Sequence, residues 1–182
     1  MKKTILIIAL FFAILSGIGY FGYKKLFEGV DVVPVQKISE NAKDAEKMVS
    51  LQISTIRKYK DAAMILLSDN SLTSLPPEIG ELTSAITFDV ANNYLTMVPT
   101  QIGNMSNLKS INLSGNKIQS IPSTISKLTK LELLDLRNNR ITDVPVEIYN
   151  MSSIKTINLS GNPINDPTKQ KLRTVFGSKI QL

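Results

Sequence analysis

Apolar residues recur along the middle of the chain at regular intervals. The stretch LKSINLSGNKIQSIPSTISKL, residues 108–128, carries apolar side chains at Leu108, Ile111, Leu113, Ile118, Ile121, Ile125 and Leu128. Asparagine returns in step with this pattern at Asn70, Asn93, Asn116, Asn139 and Asn162, and proline at Pro76, Pro99, Pro122 and Pro145. Self-similarity at such a fixed period predicts a solenoid of stacked repeats.

Each repeat is predicted to contain one strand and one short helical turn. Ile111 and Leu113 alternate with polar neighbours, the period of two expected of a strand with one buried face. Pro122 has no N–H to donate and suits the first position of a helical turn on the opposite side of the coil. Ile125 and Leu128 then bring the turn back onto the core.

The five phased asparagines predict a structural ladder. A side chain in this slot points into the coil, where backbone groups of the turn lack partners in the sheet. A carboxamide offers both an acceptor and two donors, so asparagine satisfies that backbone. An unpaired buried group would cost about 1–3 kcal/mol, which explains why one residue type fills the slot.

Repeats of the form L-x-x-L-x-L-x-x-N-x-L-x-x-L-P-x-x-I-x-x-L resemble the 23-residue class of leucine-rich repeats. This class is found in Ras-associated and in many bacterial proteins, and the resemblance covers residues 62–166. It implies an α/β solenoid with parallel β-strands on the concave face and short helical turns on the convex face. It also implies a protein-binding scaffold without catalytic activity.

The predicted concave strip carries small polar residues in most exposed positions. Candidate partner-binding residues are those that stand out from this background or occupy its acidic and amide column: Asp89, Tyr94, Asn112, Leu133, Asp135, Arg137 and Arg140. Arginine and tyrosine are enriched among residues that contribute most to binding. The alternative for Arg137 is a surface ion pair with Asp135 or Asp89.

The amino-acid composition excludes several kinds of covalent, metal and catalytic site. The chain has no cysteine and no histidine, which excludes disulfides, Cys/His zinc sites and imidazole-based triads. We therefore expect no enzyme, no cofactor and no metal. Gly17, Gly19 and Gly22 match a dinucleotide fingerprint, but no strand–helix–strand unit surrounds them.

The net charge of +6 is unevenly distributed. Residues 61–166 carry seven basic and ten acidic residues, while basic residues are in excess at both ends of the chain. A nucleic-acid-binding protein would concentrate basic residues on its recognition surface. We therefore expect a protein ligand and no nucleic acid.

Residues 1–27 are predicted to be a transmembrane signal anchor. The segment 5–23 is uncharged, lies between lysine pairs and just reaches the roughly 17–25 residues that span a bilayer. The alternative is a secretory signal peptide cut at Tyr20. A ladder of small residues would permit weak self-association in the membrane: Ala9, Ala13 and Gly17.

Segments outside the repeats are predicted to link and to cap the solenoid. Residues 28–38 form a linker, residues 39–61 an N-terminal capping helix, and residues 167–182 a C-terminal helix and short strand. Leu66 is apolar in an otherwise polar column, which indicates either coverage by the N-terminal segment or an exposed ligand contact. The final helix is predicted to have Asp166 as its N-cap and Gly177 as its stop.

These features together predict a single-pass membrane protein whose solenoid recognises another protein. The short basic N-terminal flank favours a cytoplasmic N-terminus and an extracytoplasmic solenoid. Two alternatives are a cytoplasm-facing membrane adaptor and a structural or adhesive envelope protein.

Overall fold

The fold is described from a computed structural model that covers residues 5–7, 56–58 and 60–182. For residues 5–7 only the backbone is described. The predicted linker 28–38, the self-association residues of the first segment and most of the predicted N-terminal cap lie outside the described residues.

Short parallel strands form one sheet in the order of the chain. The strands are β1 Ile5–Ile7, β2 Met64–Leu66, β3 Thr87–Asp89, β4 Ser110–Asn112, β5 Leu133–Asp135, β6 Thr156–Asn158 and β7 Ile180–Gln181. From β2 onward each strand pairs with the next at an offset of one sequence repeat, so Ile65 lies beside Phe88 and Phe88 beside Ile111. The period of the sequence therefore sets the register of the sheet, because each strand residue lies beside its equivalent in the next repeat.

Four 3₁₀ turns close the coils on the opposite side. They are η1 Pro77–Glu81, η2 Thr100–Asn104, η3 Ser123–Lys127 and η4 Val146–Asn150. The predicted proline position is wrong by one residue, because Pro99 is the residue before the turn and not its first member. Its extended backbone, with φ −65° and ψ 144°, directs its carbonyl to accept the Ile102 N–H at 3.0 Å.

The hydrophobic core lies between the sheet and the turns. The central residue of each strand from β2 to β6 points inward and is buried, as are the isoleucines of the four turns. Strand residues on either side of that central position face the other way and are half-buried or exposed. This outward surface of the sheet is called the strand face below.

The C-terminal end is covered by helix α1, Asp166–Phe176, a 3₁₀ turn at Gly177–Lys179 and strand β7. The N-cap of α1 is Asn165, one residue before the predicted Asp166, because its side chain accepts the Thr168 N–H at 2.9 Å. Phe176 is buried and stacks on Tyr149 of η4, with ring centroids 6.5 Å apart.

The N-terminal end is described only in part. Residues 56–58 are helical, and Ile56 belongs to the hydrophobic core. Arg57 forms an ion pair with Glu81 of η1 at 3.4 Å. The extent of a capping helix over 39–61 stays a prediction.

Ile5–Ile7 form a strand parallel to Met64–Leu66, where the sequence predicts the start of a membrane helix. These three residues therefore differ from the prediction, since an apolar run beside an open sheet edge pairs with its free N–H and C=O groups. Within the described parts of the chain, no helix is both long and apolar enough to span a bilayer. The rest of segment 5–23 lies outside those parts.

Candidate protein-binding surface

The asparagine ladder joins neighbouring coils through buried hydrogen bonds. The Asn116 Oδ1 accepts the Leu95 N–H from the preceding repeat at 3.0 Å. Its Nδ2 donates to Val90 of that repeat and to Leu113 of its own, both at 3.0 Å. Because Val90 also accepts from Asn93, successive side chains share backbone carbonyls and the ladder is continuous.

A second regularity precedes each ladder asparagine. The backbone is left-handed there in every repeat, in a slot held by residues that tolerate positive φ: Asp69, Asn92, Gly115, Asn138 and Gly161. Asn92 packs directly over Gly115, and a Cβ on that glycine would collide with the Asn92 Oδ1. The bend fixes the direction in which the chain leaves the strand face.

The acidic and amide column of the strand face closes turns of its own backbone. The Oδ1 atom of Asp89 accepts the Ala91 N–H at 3.0 Å, and the other members accept from the residue two positions on in the same way: Asn112, Asp135 and Asn158. Such Asx turns explain why aspartate or asparagine fills the slot. Three of the predicted partner-binding residues, Asp89, Asn112 and Asp135, therefore stabilise turns of their own backbone. Their contact with a partner stays a prediction.

Arg137 and Asp135 form a bidentate ion pair on the strand face. The Nε donates to both carboxylate oxygens at 3.0 Å and the Nη2 to Oδ2 at 2.7 Å. The hydrogen bond and charge of Asp135 raise the pKa of Arg137 above its ordinary value. The alternative weighed from the sequence, an ion pair with Asp135, is the arrangement in the structure, and it presents a planar guanidinium in a fixed orientation.

Leu133 is the most exposed large apolar residue of the strand face within the described residues. Its side chain is 40% exposed, whereas its neighbours on the flanking strands are the small polar residues Ser110 and Thr156. Leu133 and Arg137 both belong to the repeat of β5. The most exposed large apolar side chain and the arginine of this face therefore lie in one repeat.

A charged residue stands immediately before each of strands β4, β5 and β6: Lys109, Glu132 and Lys155. Lys155 pairs with Glu132 at 2.7 Å, and this hydrogen bond and charge, helped by the charge of Lys109, hold the pKa of Glu132 below its ordinary value. The three side chains occupy equivalent positions of consecutive repeats. They border the strand face with alternating charge.

Tyr94 and Arg140 lie away from the strand face, on the loop edge where the chain leaves it. Lys117, from the repeat between them, places its Nζ 4.6 Å from the centroid of the Tyr94 ring. Met97 in the same loop is 66% exposed. The structure thus separates the seven predicted residues into five on the strand face and two on this edge.

Sequence reasoning missed Lys117 and Met97 as members of this edge. Lys117 follows Tyr94 by one period, so the repeat alignment alone would have placed them side by side. The same alignment places Met97 in a column with Ser74, Ser120 and Asp143, and this polar column would have marked the methionine as exposed.

The described residues hold their acidic side chains apart. They contain no group of three or more acidic residues arranged to hold an ion. Strand β4, which carries Asn112, lies between Asp89 and Asp135. The Asp135 carboxylate forms an ion pair with Arg137. What this surface offers is shape, two projecting side chains and fixed charges.

Stacked 23-residue coils, a parallel sheet in chain order and a shared asparagine ladder define the leucine-rich repeat fold. The leucine rich repeat family model matches residues 86–141 and 106–164. Leucine-rich repeat domains are generally protein–protein interaction modules and are typically non-catalytic.

Two known proteins illustrate the similarity. A leucine-rich repeat protein of Leptospira interrogans has a similar solved structure, with a TM-score of 0.68 and 25% identity over 85% of this chain and 37% of that one. A leucine-rich repeat and calponin homology domain-containing protein of Drosophila melanogaster is 39% identical over 51 residues, 28% of this chain and 6% of that protein. The chain therefore spans only a minor part of either protein.

Proposed function

We propose that this chain is a non-catalytic recognition module that is anchored to a membrane and binds a partner protein through the strand face. The observation that carries the proposal is the occurrence of Leu133 and Arg137 together in the repeat of β5, among small polar neighbours. Arginine is enriched among the residues that contribute most to binding, and such residues lie near the centre of a contact patch, surrounded by weaker contacts that exclude water.

The membrane part of the proposal rests on the sequence of residues 5–23, with lysines at both flanks. Insertion of this segment into a bilayer requires Ile5–Ile7 to leave the edge of β2, because a residue in a membrane helix has no backbone group free for a sheet. We place the N-terminus in the cytoplasm and the solenoid outside it.

A photo-crosslinking amino acid at position 137 of the full chain in living cells tests the partner. Position 146 is a matched control, because Val146 is 65% exposed on the opposite side of the coil. We expect one stoichiometric protein adduct from position 137 and none from position 146. Leu133→Ser should abolish the adduct without lowering the melting temperature, since much of this side chain is already in solvent.

An adduct pattern that is the same from both positions would refute the strand face as the binding surface. The orientation is tested separately by a reporter fused after Leu182. A reporter active only in the cytoplasm would overturn the extracytoplasmic placement and favour a cytoplasm-facing adaptor.

A further inference from the structure

Small side chains form a flat floor on strands β3 and β4 of the strand face. Along these two strands and the residues just after them, the outward positions outside the Asx column are Thr87, Ala91, Ser110 and Ser114. Larger side chains border the floor on both sides. Met64 and Leu66 of β2 form an apolar wall on one side, and the repeat of β5 supplies Leu133 and Arg137 on the other. We call this depression the β3–β4 groove.

The dimensions of the groove follow from the register of the sheet. The two walls are three strand spacings apart, which amounts to about 14 Å. Along the strands the groove runs from Met64 to Ser68, a length of about 13 Å. An α-helix with its side chains is about 10–12 Å across, and nine of its residues span about 13 Å. Because the distance of about 14 Å joins the axes of the two wall strands and their side chains narrow the space between them, one short helix lying along the strand direction contacts both walls.

The floor carries one carboxylate that no cation in the described residues neutralises. Asp89 uses its Oδ1 to accept the Ala91 N–H and forms no ion pair with any described residue. Asp135, in the equivalent slot of the β5 wall, has both oxygens occupied by Arg137. The side chain between them in the column is the neutral Asn112. Among the described residues the groove therefore offers one carboxylate without an ion pair, flanked by the apolar side chains of β2 on one side and by Leu133 and the neutralised Arg137–Asp135 pair on the other.

We propose that the β3–β4 groove binds one α-helix of the partner protein, with a lysine or arginine of that helix paired to Asp89. The apolar residues three positions before and after that cation lie on opposite shoulders of a helix, about 60° from it on either side. They would contact Met64 and Leu66 on one wall and Leu133 on the other. This inference rests on the proposed recognition function and names the class of partner element.

The test uses the full chain and three alanine-based peptides, each of about 14 residues so that it forms nearly four helical turns. Every peptide has leucines three positions before and after a central residue, which is lysine in the first peptide and glutamate in the second. The third peptide has the central lysine and two prolines that prevent a helix. Affinities come from titrations followed by the amide NMR signals of Thr87 and Ser110 in the floor.

We expect the lysine peptide to bind about tenfold more tightly than the glutamate peptide, the effect of one charge-assisted hydrogen bond in a partly desolvated site. Asp89→Asn should remove this preference while keeping the Asx turn, since asparagine already forms that turn at Asn112. Glu147→Gln on η4 lowers the negative charge equally on the opposite side and should leave the preference unchanged. Leu133→Ser should weaken both helical peptides.

Equal binding of the lysine and glutamate peptides, or a preference that survives in Asp89→Asn, would overturn the proposal. Equally tight binding of the proline peptide would assign the groove to an extended segment. Floor signals that shift with protein concentration alone would assign it to a second copy of the chain. A specific adduct from position 137 without any charge preference among the peptides would leave the recognition function intact and refute only the helix.

Discussion

Asn116 donates from its side chain to the carbonyl oxygen of Val90, a residue of the preceding coil, at 3.0 Å. The same carbonyl accepts from Asn93 at 2.9 Å. Each interior asparagine thereby holds two coils at once.

Asn116→Ala should lower the free energy of unfolding by about 1–3 kcal/mol, because buried groups of two coils lose their partners. Asn162→Ala should cost less, since Asn162 is half-buried and lies beside the C-terminal cap, where the end of the array can fray. Urea denaturation of the two variants measures the difference. Equal and negligible losses at both sites would contradict the structural role of the ladder.

Gly115→Ala should destabilise the fold by more than the roughly 1–2 kcal/mol that a left-handed alanine costs, because a Cβ at this position, where φ is 66°, also collides with the Asn92 Oδ1. Adding Asn92→Gly removes the colliding atom and should recover the excess. Thermal melts of Gly115→Ala, Asn92→Gly and the double variant measure it. Additive costs of the two single changes would show that Asn92 moves aside freely.

Phe176→Ala should destabilise the C-terminal cap by about 3 kcal/mol, the lower end of the range for a buried aromatic residue. The side chain is 8% exposed and loses its stack on Tyr149. Val175→Ala is the matched control, since its side chain is 46% exposed and should change stability by less than about 0.5 kcal/mol. Chemical denaturation that gives similar values for the two variants would argue against docking of α1 through Phe176.

The contribution of the Glu132–Lys155 pair to stability should depend on pH. The pKa of Glu132 is lowered in the folded chain, so its contribution is present above the ordinary glutamate pKa of about 4.3 and is lost as the pH falls through the lower folded value. Lys155→Met should therefore reduce the melting temperature at pH 7 and lose this effect toward pH 3. Lys127→Met removes a charge at a position without an ion pair in the described residues and serves as the control. A deficit that stays constant from pH 7 to pH 3 would show that the pair contributes nothing.

A fragment of residues 62–182 should be less stable and less soluble than a fragment of residues 39–182. The shorter fragment lacks Ile56, which is 8% exposed within the core, and Arg57, which pairs with Glu81. Both fragments lack Ile5–Ile7, the strand that pairs with Met64–Leu66, so the comparison isolates the contribution of residues 39–61. Identical melting curves and equal solubility would show that residues 39–61 only link the solenoid to what precedes it.

The coil can be predicted from the sequence, but the details of its bends cannot. The alternation around Ile111 identifies β4 and its buried face, because the period of a strand is a property of the backbone. The same pattern places the proline slot one residue too far into the turn. Both positions accept a residue without an N–H, so the pattern alone cannot separate them.

The strand face is predictable as a set of exposed columns, and the structure assigns some of its members a second role. Asp89 and Asn112 are predicted contacts for a partner, yet their Oδ1 atoms close turns of their own backbone. That hydrogen bond depends on the direction in which the chain leaves the strand, which is set by the left-handed residue before the ladder. The pairing of Arg137 with Asp135 is one of two choices that the sequence allows, and only the side-chain conformation decides between them.

Because successive ladder asparagines share backbone carbonyls, each interior repeat forms the same hydrogen bonds with the repeat before it and with the repeat after it. One whole repeat duplicated within the array would bring its own asparagine and meet both neighbours with matching groups. Each such duplication would lengthen the sheet by one strand, about 4.8 Å, and leave both caps as they are. The molecule is thus built so that the size of its binding surface can change by gene duplication in whole units, independently of the two ends of the chain.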